Sequence, residues 1–406
     1  MKSEPKRVME DQGSHGPRRI DGLGHLVTLF IVALCVAGPV LQGVSASRTP
    51  SWPLEPALYQ QWLQTRDARG SDPVAAEGHQ RMRILLRDRV RVDSLEAVFD
   101  REGTDAQSRL LQTVALLRQY GNRIEPLWLE RLTALGAALG PGSLRSVQWY
   151  WISSLGVLEA TPTYYLALLE AYGDQIEWIE ADADPGFGPD PVTIAPSGPR
   201  PESLGGTEPG LRATQAPLMW ARGYRGRGRL GMNIDTGVWG THPALSSRWK
   251  GLQVPAAQAW LGAGNTPTDC GGSTPHGTHV MGTMVGMDAQ TQDTVGMAVR
   301  AQWIAAGALC TGGSTTAAFQ WALDPDGNPS TTSDVPDVIN NSWGGSTQDS
   351  SQCNSPTYLP MFNALSAAGL AVVFSAGNSG SGISTITSPK NISINEVNVF
   401  CTGISK

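Results

Sequence analysis

A chain of 406 residues with 30 Lys and Arg against 36 Asp and Glu carries a formal charge of −6, with 40% apolar and 16% charged residues. That length and balance suit two or three globular domains with a sizeable core and exclude a disordered chain. No long Lys/Arg run lies outside the N-terminus, so there is no electrostatic footprint for nucleic acid.

In chain order, the first signal is the apolar run of residues 26–40, which is too short, and too interrupted by Gly38 and Pro39, for a comfortable membrane span. Arg18 and Arg19 precede it, and Val44-Ser-Ala46 offers small residues for cleavage before Ser47, so residues 1–46 read as a secretory signal peptide. An uncleaved signal anchor is the rival, and no membrane contact is expected once the signal is removed. Of the five cysteines, Cys35 falls in that run, leaving Cys270, Cys310, Cys353 and Cys401. Four cysteines in an exported chain allow up to two disulfides in three pairings, or buried thiols, and spacing does not choose among them. None has Cys-x-x-Cys spacing, which argues against a zinc or redox motif.

Residues 47 to about 80 show little periodicity and read as a loose connection. Arg83-Ile-Leu-Leu-Arg87 is a strand candidate. Leu95, Val98 and Phe99, then Leu110, Leu111, Val114 and Leu117, follow a helical period broken near Gly103. Residues 146–152 are aromatic and β-branched like a strand, Thr161-Pro162 opens a helix carrying Leu166, Leu168 and Leu169, and residues 175–179 alternate like a half-buried strand. Strand, helix, strand, helix, strand predicts a small α+β domain over residues 47–180. Residues 181–210 are dense in Pro and Gly, which opposes regular pairing and exposes the backbone, so they read as a linker open to proteolytic maturation.

In residues 211–406, the runs 229–235, 336–342 and 370–376 finish in polar or glycine-rich turns and alternate with helical segments. This predicts an α/β fold with a mainly parallel sheet and helices on both faces. In such sheets the working crevice lies beyond the carboxyl ends of the strands, which puts Asp235, Ser342 and Asn378 along one edge. Asp235 sits in Asp-Thr-Gly, where a turn-capping role is the plain alternative. His276 follows Pro275 at a helix start, where the positive end of the dipole favours neutral imidazole and keeps a base competent. Gly277, Gly282 and Gly286 would let that helix pack closely. His276-x-x-His279 could hint at a metal, but no His-Glu-x-x-His arrangement or third ligand appears, so no metal is assigned and His279 reads as structural. Asn378 lies in Ser375-Ala-Gly-Asn-Ser-Gly380, where a turn conformation alone would also favour Asn.

Taken in this order, Asn233-Ile-Asp-Thr-Gly237, Pro275-His-Gly-Thr-His279, Asn341-Ser-Trp-Gly-Gly345 and Ser375-Ala-Gly-Asn-Ser-Gly380 resemble the motifs of the subtilisin-like serine proteases, over roughly residues 210–400. Residues 295–305 and 317–325 are similar to the bacillopeptidase F-like branch, and residues 149–152, 157–162 and 176–179 to its propeptide. The resemblance implies that Asp235 orients the imidazole, His276 acts as general base and Asn378 donates to an oxyanion. It implies that Ser342, Trp343 and Gly344 form a wall pairing with an extended protein or peptide substrate, with Trp343 lining the pocket for the residue before the cut. It also implies an intramolecular propeptide in residues 47–180, an extracellular protein, and calcium as the one cofactor to consider, with no ligands assignable. The Gly-Thr-Ser-x-Ala segment that carries the family's nucleophile does not occur in these residues. The expectation is a secreted serine endopeptidase whose domain is incomplete at its C-terminus and inactive as given. The alternative is a non-catalytic secreted protein that binds peptides or a protease partner through its propeptide-like domain or cleft.

Overall fold

The computed structural model describes residues 56–67, 78–182, 188–189, 207–291, 293–345, 355–380, 382–383, 385–392 and 399–403. Cys353 and the signal-peptide expectation for residues 1–46 fall outside them. No helix among the described residues is long and apolar enough to cross a membrane.

The N-terminal region runs α1 (Pro56–Asp67), β1 (Gln80–Leu86), α2 (Val92–Glu102), α3 (Ala106–Leu139), β2 (Leu144–Tyr150), β3 (Leu155–Ala160), α4 (Pro162–Tyr172) and β4 (Ile176–Ala181). Its four strands form an antiparallel sheet in the order β2-β3-β1-β4. Gly103 at φ 63° ends α2 in the left-handed conformation, as the break in periodicity predicts. Asp105 then caps α3 by accepting Ser108 N–H at 3.0 Å, and Thr161 caps α4 by accepting Tyr164 N–H at 3.2 Å. Three features depart from the sequence reading. The segment read as a loose connection contains α1, whose Trp62 is fully buried, stacks on Tyr165 at 5.0 Å and donates Nε1–H to Gln80 at 2.7 Å. Helix α3 continues past Leu117 through Pro126, because Ile124, Trp128 and Leu132 prolong the same buried stripe. A further strand, β3, pairs with both β1 and β2.

Strand alternation divides this sheet between two cores. Met82, Ile84, Leu86, Leu158 and Ala160 pack with Trp62, Trp128 and the α4 tyrosines, whereas Leu85, Leu155 and Val157 belong to the larger core of the C-terminal region.

That region contains α5 (Pro209–Ala213), α6 (Ala216–Ala221), β6 (Leu230–Ile234), β7 (Trp260–Leu261), α7 (His276–Val285), β8 (Gln302–Ala306), α8 (Thr315–Ala322), β9 (Val338–Asn341), α9 (Tyr358–Ala367), β11 (Ala371–Ser375) and β12 (Phe400–Thr402). Six strands form a parallel sheet in the order β12-β11-β9-β6-β8-β7. Trp303 and Ala305 of β8 pack with Met281 and Val285 of α7, while Ile304 and Ala306 join Phe319 of α8 and Phe362 of α9. Helices therefore cover both faces, and this is an α/β fold with a parallel sheet. Two short strands, β5 (Gly188–Pro189) and β10 (Trp343–Gly344), pair antiparallel. The stretch read as an unpaired linker thus supplies one strand.

The two regions meet over charged groups as well as apolar ones. Arg83, 4% exposed, donates from Nε to Asp182 at 2.7 Å and from Nη2 to the Tyr358 hydroxyl at 3.2 Å. Burial opposes its charge, and Tyr358, Asp182 and Glu180 more than offset that, so its pKa moves up. Thr357 donates to Glu180, Ser366 donates to Glu96 at 3.0 Å, and Arg118 of α3 pairs with Asp324.

Candidate active site

The sheet order sets the site. Strands β11, β9 and β6 are neighbours, and parallel neighbours about 4.8 Å apart present their carboxyl ends side by side. Asp235 directly follows β6, Ser342 directly follows β9, and Asn378 lies in the turn after β11, exposed.

Asp235 is fully buried, and its Oδ1 stands 2.8 Å from His276 Nδ1 and accepts Thr236 N–H at 2.7 Å. A carboxylate only accepts, so Nδ1 carries the proton and the neutral ring has its lone pair on Nε2. Asp235 Oδ2 is buried and has no donor among the described residues. His276 is the first residue of α7, with Pro275 before it. The helix start fits against the Asp235 turn because two positions carry no side chain. A Cβ on Gly277 would stand 2.1 Å from Gly237 O, and one on Gly237, at φ +91°, 2.0 Å from Thr268 O. The expectation of close packing also holds at Gly286, where a Cβ would meet Val295 at 2.5 Å, but not at Gly282, which faces open space.

Several contributors were not singled out from sequence. Asp269 accepts from Thr236 Oγ1 at 2.8 Å and Gly271 N–H at 2.9 Å on Oδ1, and from Thr278 N–H at 2.8 Å and Oγ1 at 2.6 Å on Oδ2. Thr236 Oγ1 in turn accepts Gly277 N–H at 3.0 Å. One carboxylate so joins the turn behind Asp235 to the first turn of α7, at the positive end of its dipole. The Cys270–Cys310 disulfide, across a separation of 40 residues, ties the turn carrying Asp269 to the loop after β8. Leu309 N–H in that loop donates to the Asp235 carbonyl at 3.1 Å. A second chain runs across the strand ends: Asn340 Nδ2 donates to Ser342 Oγ at 3.1 Å and Asn233 Oδ1 at 3.0 Å, and Asn233 Nδ2 donates to Gly277 O at 3.2 Å. Asn233 and Asn340 occupy paired register positions of β6 and β9. Their signal was a polar residue near the end of each apolar strand.

Trp343 corrects the expectation that its side chain lines a substrate pocket. It is 0% exposed, with its ring centroid 5.2 Å from that of Phe374 and 6.2 Å from that of Phe319. Ile339, Asn341 and Trp343 share the core side of the strand, leaving Asn340 and Ser342 on the other. What Trp343 and Gly344 present outward is backbone, and there Gly188–Pro189 pairs with them. His279, expected to be structural, is exposed and lines a groove of about 840 Å³ with Trp239, His242 and Met297, to which neither Asp235 nor His276 contributes. Among the described residues, one group of potential metal ligands stands out, Asp324, Asp326 and Asp334, and it includes neither Asp235 nor His276.

Residues 233–403 match the Subtilase family. Bacillopeptidase F of Bacillus subtilis (strain 168) is 36% identical over 203 residues, covering 46% of this chain and 14% of that protein. Subtilisin E of the same strain is 30% identical over 195 residues, covering 47% of this chain and 46% of that protein. The chain thus spans less than half the length of either relative. A solved structure, the epidermin leader peptide processing serine protease of Staphylococcus aureus, is 15% identical with a TM-score of 0.39, over 75% of this chain and 61% of that one.

Proposed function

We propose that this chain, whose residues 233–403 match the Subtilase family, carries the acid–base machinery of a secreted serine-type endopeptidase that hydrolyses peptide bonds in proteins or peptides. The observation that carries the reading is the 2.8 Å contact between His276 Nδ1 and the fully buried Asp235. In this reading Asp235 holds the tautomer and stabilises the imidazolium, and Nε2 takes the proton of an attacking alcohol and later gives it to the leaving amine. The Asn378 amide donates to the oxyanion, a contribution of about a hundred- to a thousandfold in rate. The backbone of β10 aligns an extended substrate, for which its antiparallel pairing with Gly188–Pro189 is the support.

By the same reading the region of residues 47–180 is an intramolecular propeptide, held through the Arg83 cluster and released by cutting within residues 181–210. Export rests on the N-terminal apolar run and on the Cys270–Cys310 disulfide, a bond suited to oxidising compartments. The Gly-Thr-Ser-x-Ala segment does not occur in the 406 residues, so the polypeptide of residues 1–406 is proposed to be catalytically silent. Two experiments test this. A fluorophosphonate probe should leave purified residues 1–406 unlabelled, and stoichiometric labelling would contradict the reading. The coding sequence read beyond Lys406 should supply Gly-Thr-Ser-x-Ala, and the longer product should cleave protein substrates, with His276→Ala costing on the order of a millionfold in rate. A longer product indifferent to His276→Ala would overturn the role of the pair.

A further inference from the structure

Residues 209–234 hold five arginines, Arg212, Arg222, Arg225, Arg227 and Arg229, and no Asp or Glu, in a chain whose net charge is −6. All five are exposed, and the last four stand on the turn between α6 and β6. That turn is held in place: Arg300 N–H donates to the Arg225 carbonyl at 2.8 Å, and a Cβ on Gly226 would stand 2.9 Å from the Ala298 methyl. The same contact brings the exposed Arg300 alongside. Arg229 pairs with Asp337 at 2.8 Å, whereas Arg222, Arg225, Arg227 and Arg300 have no carboxylate partner among the described residues. Guanidinium groups gathered without counter-charges make a local positive field on an otherwise acidic protein. Apolar side chains stand in water next to them: Leu218 is 58%, Met219 43% and Tyr224 67% exposed. Tyr224 N–H donates to the Met219 carbonyl at 3.0 Å, which sets these side chains at one bend. Met297, 40% exposed, adjoins α6 because its carbonyl accepts Trp220 Nε1–H at 2.8 Å.

We propose that this basic and partly apolar face binds the anionic lipid of a membrane surface. The planar fork of arginine matches phosphate oxygens, and an anionic leaflet attracts a cluster of such groups over a Debye length. A soluble polyanion would also pair with the arginines, but it offers nothing to Leu218, Met219 and Met297. The boundary between headgroups and acyl chains takes those side chains out of water, and the amphipathic ring of Tyr224 suits the same depth. Association of two copies through this face would set arginine against arginine, which opposes it. The contact is peripheral, since α6 has only six residues. It departs from the expectation of no membrane contact after signal removal. Neither Asp235 nor His276 belongs to the face, so the inference does not depend on the peptidase reading.

The test is flotation of the whole 406-residue polypeptide with vesicles of equimolar phosphatidylglycerol and phosphatidylcholine, and with vesicles of phosphatidylcholine alone. The chain should float with the anionic vesicles, stay behind with the neutral ones, and be released by salt. Each arginine at such a surface contributes about fivefold, so Arg222→Gln with Arg227→Gln should weaken binding about twenty-fivefold. Both side chains are exposed and unpaired among the described residues, so this variant should keep the fold, checked by circular dichroism. Leu218→Ser with Met219→Ser should weaken vesicle binding about tenfold or more through lost apolar burial. No flotation with anionic vesicles, or flotation unchanged in the arginine variant, would overturn the face. Vesicle binding unchanged by Leu218→Ser with Met219→Ser would overturn the assignment to lipid, as would heparin bound as tightly as the vesicles, which would mark a site for soluble polyanions.

Discussion

Two groups of carboxylates in this molecule, one around the half-buried Asp269 and one around the buried Asp324 and Asp334, are solved in opposite ways. Around Asp269 the chain brings donors to both oxygens: two hydroxyls and two backbone N–H groups, all at 2.6–2.9 Å. Around Asp324 and Asp334 it brings a third carboxylate and leaves two oxygens without donors among the described residues. The first arrangement is complete as protein and uses its charge to set the start of α7, and with it His276, against Asp235. In the second, burial pushes the Asp334 carboxyl up to about 6 and that of Asp324 up as well, toward the neutral form. The lesson is that burial of an acid does not by itself reveal its role; the count of donors around each oxygen does.

The contrast can be broken by substitution, beginning with the largest expected effect. Replacing Cys270 and Cys310 together by Ser, which frees the turn carrying Asp269, should destabilise the chain by about 4 kcal/mol on the loop-entropy estimate for a separation of 40 residues, measured by urea unfolding. Asp269→Ala strands four donors and should cost about 3 kcal/mol by the same measurement, with Asp269→Asn recovering part of it. In the second group, Arg118→Gln should cost about 1 kcal/mol, a figure reduced because the Arg118 side chain is 31% exposed. Asp324→Asn should cost less than Asp269→Ala, since burial already pushes the Asp324 carboxyl toward its neutral form and the Asn oxygen can still accept from Arg118. A loss there as large as that for Asp269→Ala would erase the distinction between the two groups.

How far the sequence could be read follows from the same physics. Strands β6, β9 and β11 were legible because short apolar runs stop at polar or glycine turns, and the start of α7 because Pro275 and the small residues after it mark a helix opening. The pairing of Asp235 with His276 was implied by the motif resemblance, while the carboxyl-edge rule put Asp235, Ser342 and Asn378 along one edge. Helix α1 was not legible, since one buried Trp62 and the half-buried Leu58 make too sparse a stripe. The length of α3 was hidden by Pro126, a residue that ordinarily ends a helix, although the buried positions continue across it. The pocket role of Trp343 came from the motif resemblance, whereas alternation from Ile339 assigns its side chain to the core side. Asp269 and the Asn233–Asn340 pair were not singled out because their linking contacts, Thr236 to Asp269 and Asn340 to Asn233, join residues 33 and 107 positions apart that only the fold brings within reach.

The account depends most on the protonation pattern of His276, and nitrogen-15 NMR of histidine-labelled chain, with His276→Gln assigning its signals among the six histidines, reads it directly. The expected result is a neutral ring with its proton on Nδ1, and loss of that preference in Asp235→Asn. A proton on Nε2, unchanged by Asp235→Asn, would contradict the pairing on which the proposed chemistry rests.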